Sequence, residues 1–122
     1  MPCHFFINPS ERLVRATVSG AVTREDLHEL RKRLMADPAF APDLSVLIDV
    51  SDATSEALAA ADIQQLAHAS TFARGARRAF VAPHPTMFGL ARMIASYRDG
   101  NMGSEETAVF KHLADAEEWL RR

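Results

Sequence analysis

The chain has 122 residues, 48% of them apolar and 25% charged, with a net charge of −2. That length fits one compact domain able to bury about two-thirds of its unfolded surface, and the composition is that of an ordinary soluble globular protein. Both charge signs are spread along the chain, and the pairs Arg77-Arg78 and Arg121-Arg122 are too short to make the basic face that nucleic acid requires, while the lone Cys3 excludes an internal disulfide.

The first element is short, apolar and aromatic, HFFIN at 4–8. The next, RLVRATVSG at 12–20, alternates, with Leu13, Arg15 and Thr17 on one side and Val14, Ala16 and Val18 on the other. The turn-forming NPSE between them predicts an antiparallel hairpin. A helix start follows. Thr23 is placed as N-cap, Asp26 three residues on can return the bond, and Val22 and Leu27 hold the hydrophobic-staple positions. Leu27, Leu30 and Leu34 share one face at helical spacing, and Pro38 ends the helix.

LSVLIDV at 44–50 is a near-continuous aliphatic run that suits a strand covered on both faces. A second helix is expected within 56–74, with Ile63, Leu66, Ala67 and Ser70 on one face and Gly75 closing it. RRAFVA at 77–82 reads as a further buried strand, ended by Pro83. TMFGLARMIASYR at 86–98 is helical, with Met87, Leu90, Ala91 and Ile94 on its stripe and Gly100 at its end. Gly89 inside it is expected to serve a close approach to the sheet. TAVF at 107–110 is a last strand. LADAEEWLRR at 113–122 is a last helix, with Leu113, Ala116 and Leu120 inward and Trp119 at the margin, covering a sheet edge or a partner. The order ββαβαβαβα implies an α/β fold with a mixed five-stranded sheet, parallel after the opening hairpin.

Ligands of such sheets usually sit at the carboxyl ends of the strands. That edge is expected to carry Asp49, Ser51, Asp52, Pro83, His84 and Lys111, with Thr86 and Arg92 on the helix that follows, where unpaired amides attract anions. Asp49, read as the residue ending its strand, has three active readings. A phospho-accepting aspartate needs further carboxylates at the end of the first strand, which instead reads INPSE. A Walker-B aspartate needs a G-x-x-x-x-G-K loop, which is absent. Mg²⁺ binding with Asp52 is the third. The bland alternative is an aspartate that bonds nearby loop amides.

None of the five histidines, His4, His28, His68, His84 and His112, forms an H-x-x-x-H or H-E-x-x-H pair. A triad of Ser51, His84 and Asp49 lacks the G-x-S-x-G elbow. No metal and no cofactor is expected. The methionine and phenylalanine set Met87, Phe88, Met93 and Met102 reads as core, as a helix–helix dimer face, or as the lining of an adaptable apolar pocket. The start MPCHFFINP has no basic segment followed by a long apolar one, and no window approaches the roughly 20 apolar residues of a membrane span. The expected address is the cytoplasm.

The phrases SGAVTREDL, VLIDVSDAT, RRAFVAPHPTMFGLARM and AVFKHLADAEEWL, in that order, resemble the STAS/SpoIIAA-like superfamily, and within it the small single-domain bacterial STAS/SEC14-like proteins. The resemblance runs from about residue 4 to 120 and implies one SpoIIAA-like domain over residues 1–122. Better-known STAS members are anti-sigma-factor antagonists, switched by phosphorylation of a serine in a D-S-S-G-like phrase. The matching region here reads SDATSEALAAADI. It lacks that phrase, so no phosphosite is carried over, although Ser51 and Ser55 are nearby hydroxyls. The SEC14-like label implies an apolar ligand cavity. In a chain of this length such a pocket is expected to be shallow or formed between subunits.

Two functions follow as expectations. The first is a non-enzymatic binding or regulatory module, a homodimer, using the edge at Asp49, Ser51, Asp52, His84, Thr86 and Arg92 to hold a protein partner or a small apolar or anionic ligand. The second is a binder of small, lipid-like molecules, or an acid–base enzyme built on Asp49 and His84, which requires the two to come within about 3 Å directly or through one water.

Overall fold

A computed structural model of the protein describes residues 3–68, 76–99 and 106–122. The elements are β1 (Cys3–Asn8), β2 (Leu13–Ala21), α1 (Arg24–Ala36), β3 (Ser45–Thr54), α2 (Ala60–His68), β4 (Arg77–Val81), α3 (Pro85–Asp99), β5 (Glu106–Phe110) and α4 (Leu113–Arg121). The strands form one sheet in chain order, β1-β2-β3-β4-β5. The first pair is antiparallel and the remaining three are parallel. The expected mixed sheet and element order are those of the structure.

The hairpin turns on Asn8. Its Oδ1 accepts from the backbone N–H groups of Ser10 at 3.0 Å and Glu11 at 3.3 Å. Arg12 then takes a left-handed φ of 52° and bonds back to the Pro9 carbonyl, which reverses the chain. At α1, Thr23 and Asp26 form the reciprocal capping box, with Asp26 N–H to Thr23 Oγ1 at 3.1 Å and Thr23 N–H to Asp26 Oδ2 at 3.0 Å. Two of the helix's orphan donors are satisfied without water.

The period-2 alternation of β2 sorts its side chains onto two unequal layers. Val14, Ala16 and Val18 face α1, α2 and α3, together with Val46, Ile48 and Val50 of β3. Leu13, Leu47, Ala79 and Val81 face the other way and pack under Ala116 of α4. Trp119 covers the β5 side of that layer, its ring tilted against Phe110 at 5.7 Å between centroids. Three helices thus cover one face and a single helix the other.

Three expectations are corrected. Asp49 does not end its strand. β3 runs on to Thr54 because the long β2 reaches Ala21 and keeps pairing with it, through Ser19 with Asp52 and Gly20 with Ala53. The register shifts between Thr17 and Ser19 as β3 inserts one extra residue, a bulge. Gly89 makes no close approach to the sheet: it is exposed, and a Cβ there would meet nothing within 4 Å. Leu113 stands 44% exposed at the start of α4, leaving Ala116 and Leu120 to make the inward contact. Residues 69–75, with Ser70 and Gly75, and residues 100–105, with Gly100 and Met102, lie outside the described residues, as do the side chains of Leu66, Ala67 and His68.

Candidate functional site

The strand-end edge is assembled by parallel pairing. Asp49 of β3 lies opposite Val81 of β4, and His84 follows Val81 by three residues, so both belong to one rim of the sheet. At this rim Ser51 donates its backbone N–H to Asp49 Oδ1 at 2.9 Å and its hydroxyl to the same oxygen at 2.5 Å. Asp49 therefore bonds an amide two residues on, as a turn aspartate does, but at a bulge inside a strand. Among the described residues Asp49 is bonded by Ser51, with no direct hydrogen bond to His84.

Asp52, His84 and Thr86 are exposed. The His84 carbonyl accepts from Phe88 N–H at 2.9 Å in the first turn of α3. Arg92 and Lys111 both approach the Phe88 ring, at 5.9 and 5.2 Å from its centroid, so Arg92 packs on its own helix. Among the described residues, no three His, Cys, Asp or Glu side chains gather into a metal-binding group.

An apolar concave feature lies elsewhere, inside the three-helix layer. A cavity of about 180 Å³ sits between the sheet and α1, α2 and α3. The sheet supplies small or branched side chains as its floor, among them Val14, Ala16 and Val46, and the helices close it with Leu30, Ile63 and Leu90. Leu27 and Leu30 hold inward positions yet are only half-buried, whereas Leu34, one turn on, is 7% exposed. Leu34 packs with Val14 and Val46, and Leu27 and Leu30 pack against the cluster around Val18 and Val50.

Two polar side chains line this otherwise apolar space, Arg31 of α1 and Arg78 of β4. Arg78 lies in register with Val46, which pairs in turn with Val14, and it points with them toward α1. Both arginines lie at the end of the cavity formed by the carboxyl half of α1 and the beginning of β4. None of the six edge residues lines the cavity. Residues of one chain line this space, which is partly open to solvent. The signal was present in RRAFVA. Arg78 is in phase with Phe80, so a charged residue stands on the inward side of a strand covered on both faces.

No family model matches the chain, and no curated protein matches it. Among solved structures, one similar chain is an uncharacterized protein of the DUF3478 family with a SpoIIAA-like fold, from Shewanella loihica PV-4. The likeness covers 97% of this chain and 93% of that one, with a TM-score of 0.62 and 20% sequence identity. The fold is SpoIIAA-like. At that identity the likeness establishes the SpoIIAA-like architecture and nothing about role. Among the described residues, no helix is long and apolar enough to cross a membrane.

Proposed function

We propose that the protein is a non-enzymatic binding module that holds a small apolar molecule between its sheet and α1, α2 and α3. The cavity is the observation that carries this reading. Small-molecule sites are concave and mostly apolar, and this space of about 180 Å³ has an almost wholly apolar lining. An apolar cavity of about 150 Å³ stays dry and takes up benzene, so the space suits a molecule of that order. The SEC14-like resemblance points the same way. Asp49, the carboxylate with the best claim to acid–base work, has its Oδ1 engaged by Ser51, which favours binding over a reaction at that edge.

Titration of ¹⁵N-labelled protein with ethylbenzene tests the reading. Saturable shifts are expected in the amides of Ala16, Ile48 and Ala91. They are expected to vanish in Ala16→Leu, which fills the floor of the cavity, or in Ala91→Leu should the first variant fail to fold. Ethylbenzene that moves none of these amides would overturn the reading.

A further inference from the structure

β1 forms one edge of the sheet, and its outer side presents the N–H and C=O groups that β2 does not take. Edges are commonly blunted by charge, proline or a bulge. β1 has none of these. Its sequence, CHFFIN, holds no Lys, Arg, Asp, Glu or Pro, and its register with β2 runs unbroken from Cys3 to Asn8. The opposite edge, β5, opens on the exposed Glu106. Phe6 lies opposite Arg15, which bonds Glu117 of α4, so it belongs to the α4 face. There it is 62% exposed, beside the exposed His4, where α4, packed over β3, β4 and β5, leaves it uncovered.

On the other face, the flank of α1 above this edge carries self-complementary charge. Arg33 is turned toward the edge. Its Nη2 donates to the Cys3 carbonyl at 3.1 Å, and its Nε is buried without a hydrogen-bond partner among the described residues. Glu29, one turn earlier on the same flank, is exposed. Leu30 packs in the cluster of Cys3, and Leu34 in that of Ile7. α1 therefore runs in the direction of β1, and the middle of β1 lies level with the turn between Glu29 and Arg33.

We infer that the partner of this edge is a second copy of the chain, related by a two-fold axis through the middle of β1 and normal to the sheet. The two β1 strands pair antiparallel and double the five-stranded sheet, an isologous contact of the β-augmentation kind. The two α1 helices come side by side and antiparallel, with each Glu29 against the Arg33 of the other copy. His4 and Phe6 of both copies meet on the opposite face.

Sedimentation velocity at a series of concentrations, with amide hydrogen exchange read in β1, tests this. The wild type is expected to dimerise with a Kd of about 1 μM or below, and protection of the β1 amides is expected to fall on dilution. Phe6→Lys, at an exposed position, is expected to raise Kd by about 10-fold or more. Glu29→Arg opposes like charges and is expected to raise Kd by a similar factor, whereas Glu29→Arg/Arg33→Glu, which exchanges the signs, is expected to return it toward the wild-type value. A monomer at every concentration up to about 1 mM overturns the inference and leaves the edge to a strand of a different protein. A dimer indifferent to Phe6→Lys and Glu29→Arg, with β1 protection independent of concentration, overturns this interface. Should Arg33→Glu unfold the chain through loss of the bond to Cys3, the two variants at exposed positions and the exchange data decide.

Discussion

Ser51 closes a double hydrogen bond onto one oxygen of Asp49, its N–H at 2.9 Å and its hydroxyl at 2.5 Å, where β3 inserts an extra residue against β2. The carboxylate holds the bulge in shape and lets β3 continue to Thr54. Asp49→Ala is expected to cost about 1.5–3 kcal/mol, the range for hydrogen bonds to a charged group, and Ser51→Ala about 1 kcal/mol. Urea unfolding measures both. An Asp49→Ala variant as stable as the wild type would show that the bulge does not depend on this contact.

Gly89 occupies the exposed side of α3, and the space around its missing Cβ is open. Nothing in its surroundings compensates for the backbone freedom it surrenders on folding. Gly89→Ala is therefore expected to stabilise the protein by about 0.5–1 kcal/mol. A thermal midpoint that falls instead would point to a contact at this surface absent from the isolated chain.

Arg77 ties the end of α4 to the sheet. Its Nη1 donates to the carbonyls of Trp119 at 2.7 Å and Arg122 at 2.9 Å, and its guanidinium lies 5.2 Å from the Trp119 ring centroid. These are carbonyls at the end of a helix, where a cation is favoured. Arg77→Ala is expected to cost about 1.5–3 kcal/mol, and Arg77→Lys to recover only part, because an ammonium lacks the planar fork. The Trp119 fluorescence maximum should move to longer wavelength in Arg77→Ala. An unchanged spectrum and unchanged stability would refute the tie.

Cys3 is 2% exposed, packed with Val18 and Val22. Burial pushes its thiol pKa above the ordinary 9.0, with the Asp26 carboxylate adding to the rise and Arg33 opposing it. As pH climbs past 9.0, the unfolded chain releases the thiol proton first and the native state retains it. The native state then binds more protons, so stability falls as pH rises. The contribution is complete below the ordinary value and is lost as pH passes through the raised native value. Urea midpoints between about pH 7 and 10 should decline more steeply in the wild type than in Cys3→Ala. Parallel profiles would contradict the shift.

Short-range patterns carried most of the architecture. Thr23 and Asp26 announced the start of α1 because a capping box needs only four consecutive residues. The alternation of Leu13 through Val18 announced which side of β2 each residue takes, because a strand has a fixed period of two. Asp49 was misread for a reason of the opposite kind. β3 extends beyond the aliphatic run because β2, some 30 residues earlier in the chain, continues to Ala21 and offers it a partner. Ser51, Asp52 and Thr54 are polar enough to resemble a loop, and cross-strand pairing overrides that preference. Gly89 was misread likewise, since a helical glycine is the same letter whether it faces a sheet or water.

The sequence by itself determined the order of the elements, the antiparallel hairpin followed by parallel strands, and the inward side of most of them. Each of these depends on periodicity and turn chemistry within about ten neighbouring residues. Tertiary structure alone decided that a cavity of about 180 Å³ opens between the sheet and α1, α2 and α3, and that Arg31 and Arg78 line it. Periodicity orients a side chain but does not set the distance between layers. That separation follows from how the volumes of Val14, Ala16 and Val46 fit those of Leu30 and Leu34, contributed by segments far apart in the chain, and it exists only once they are packed together.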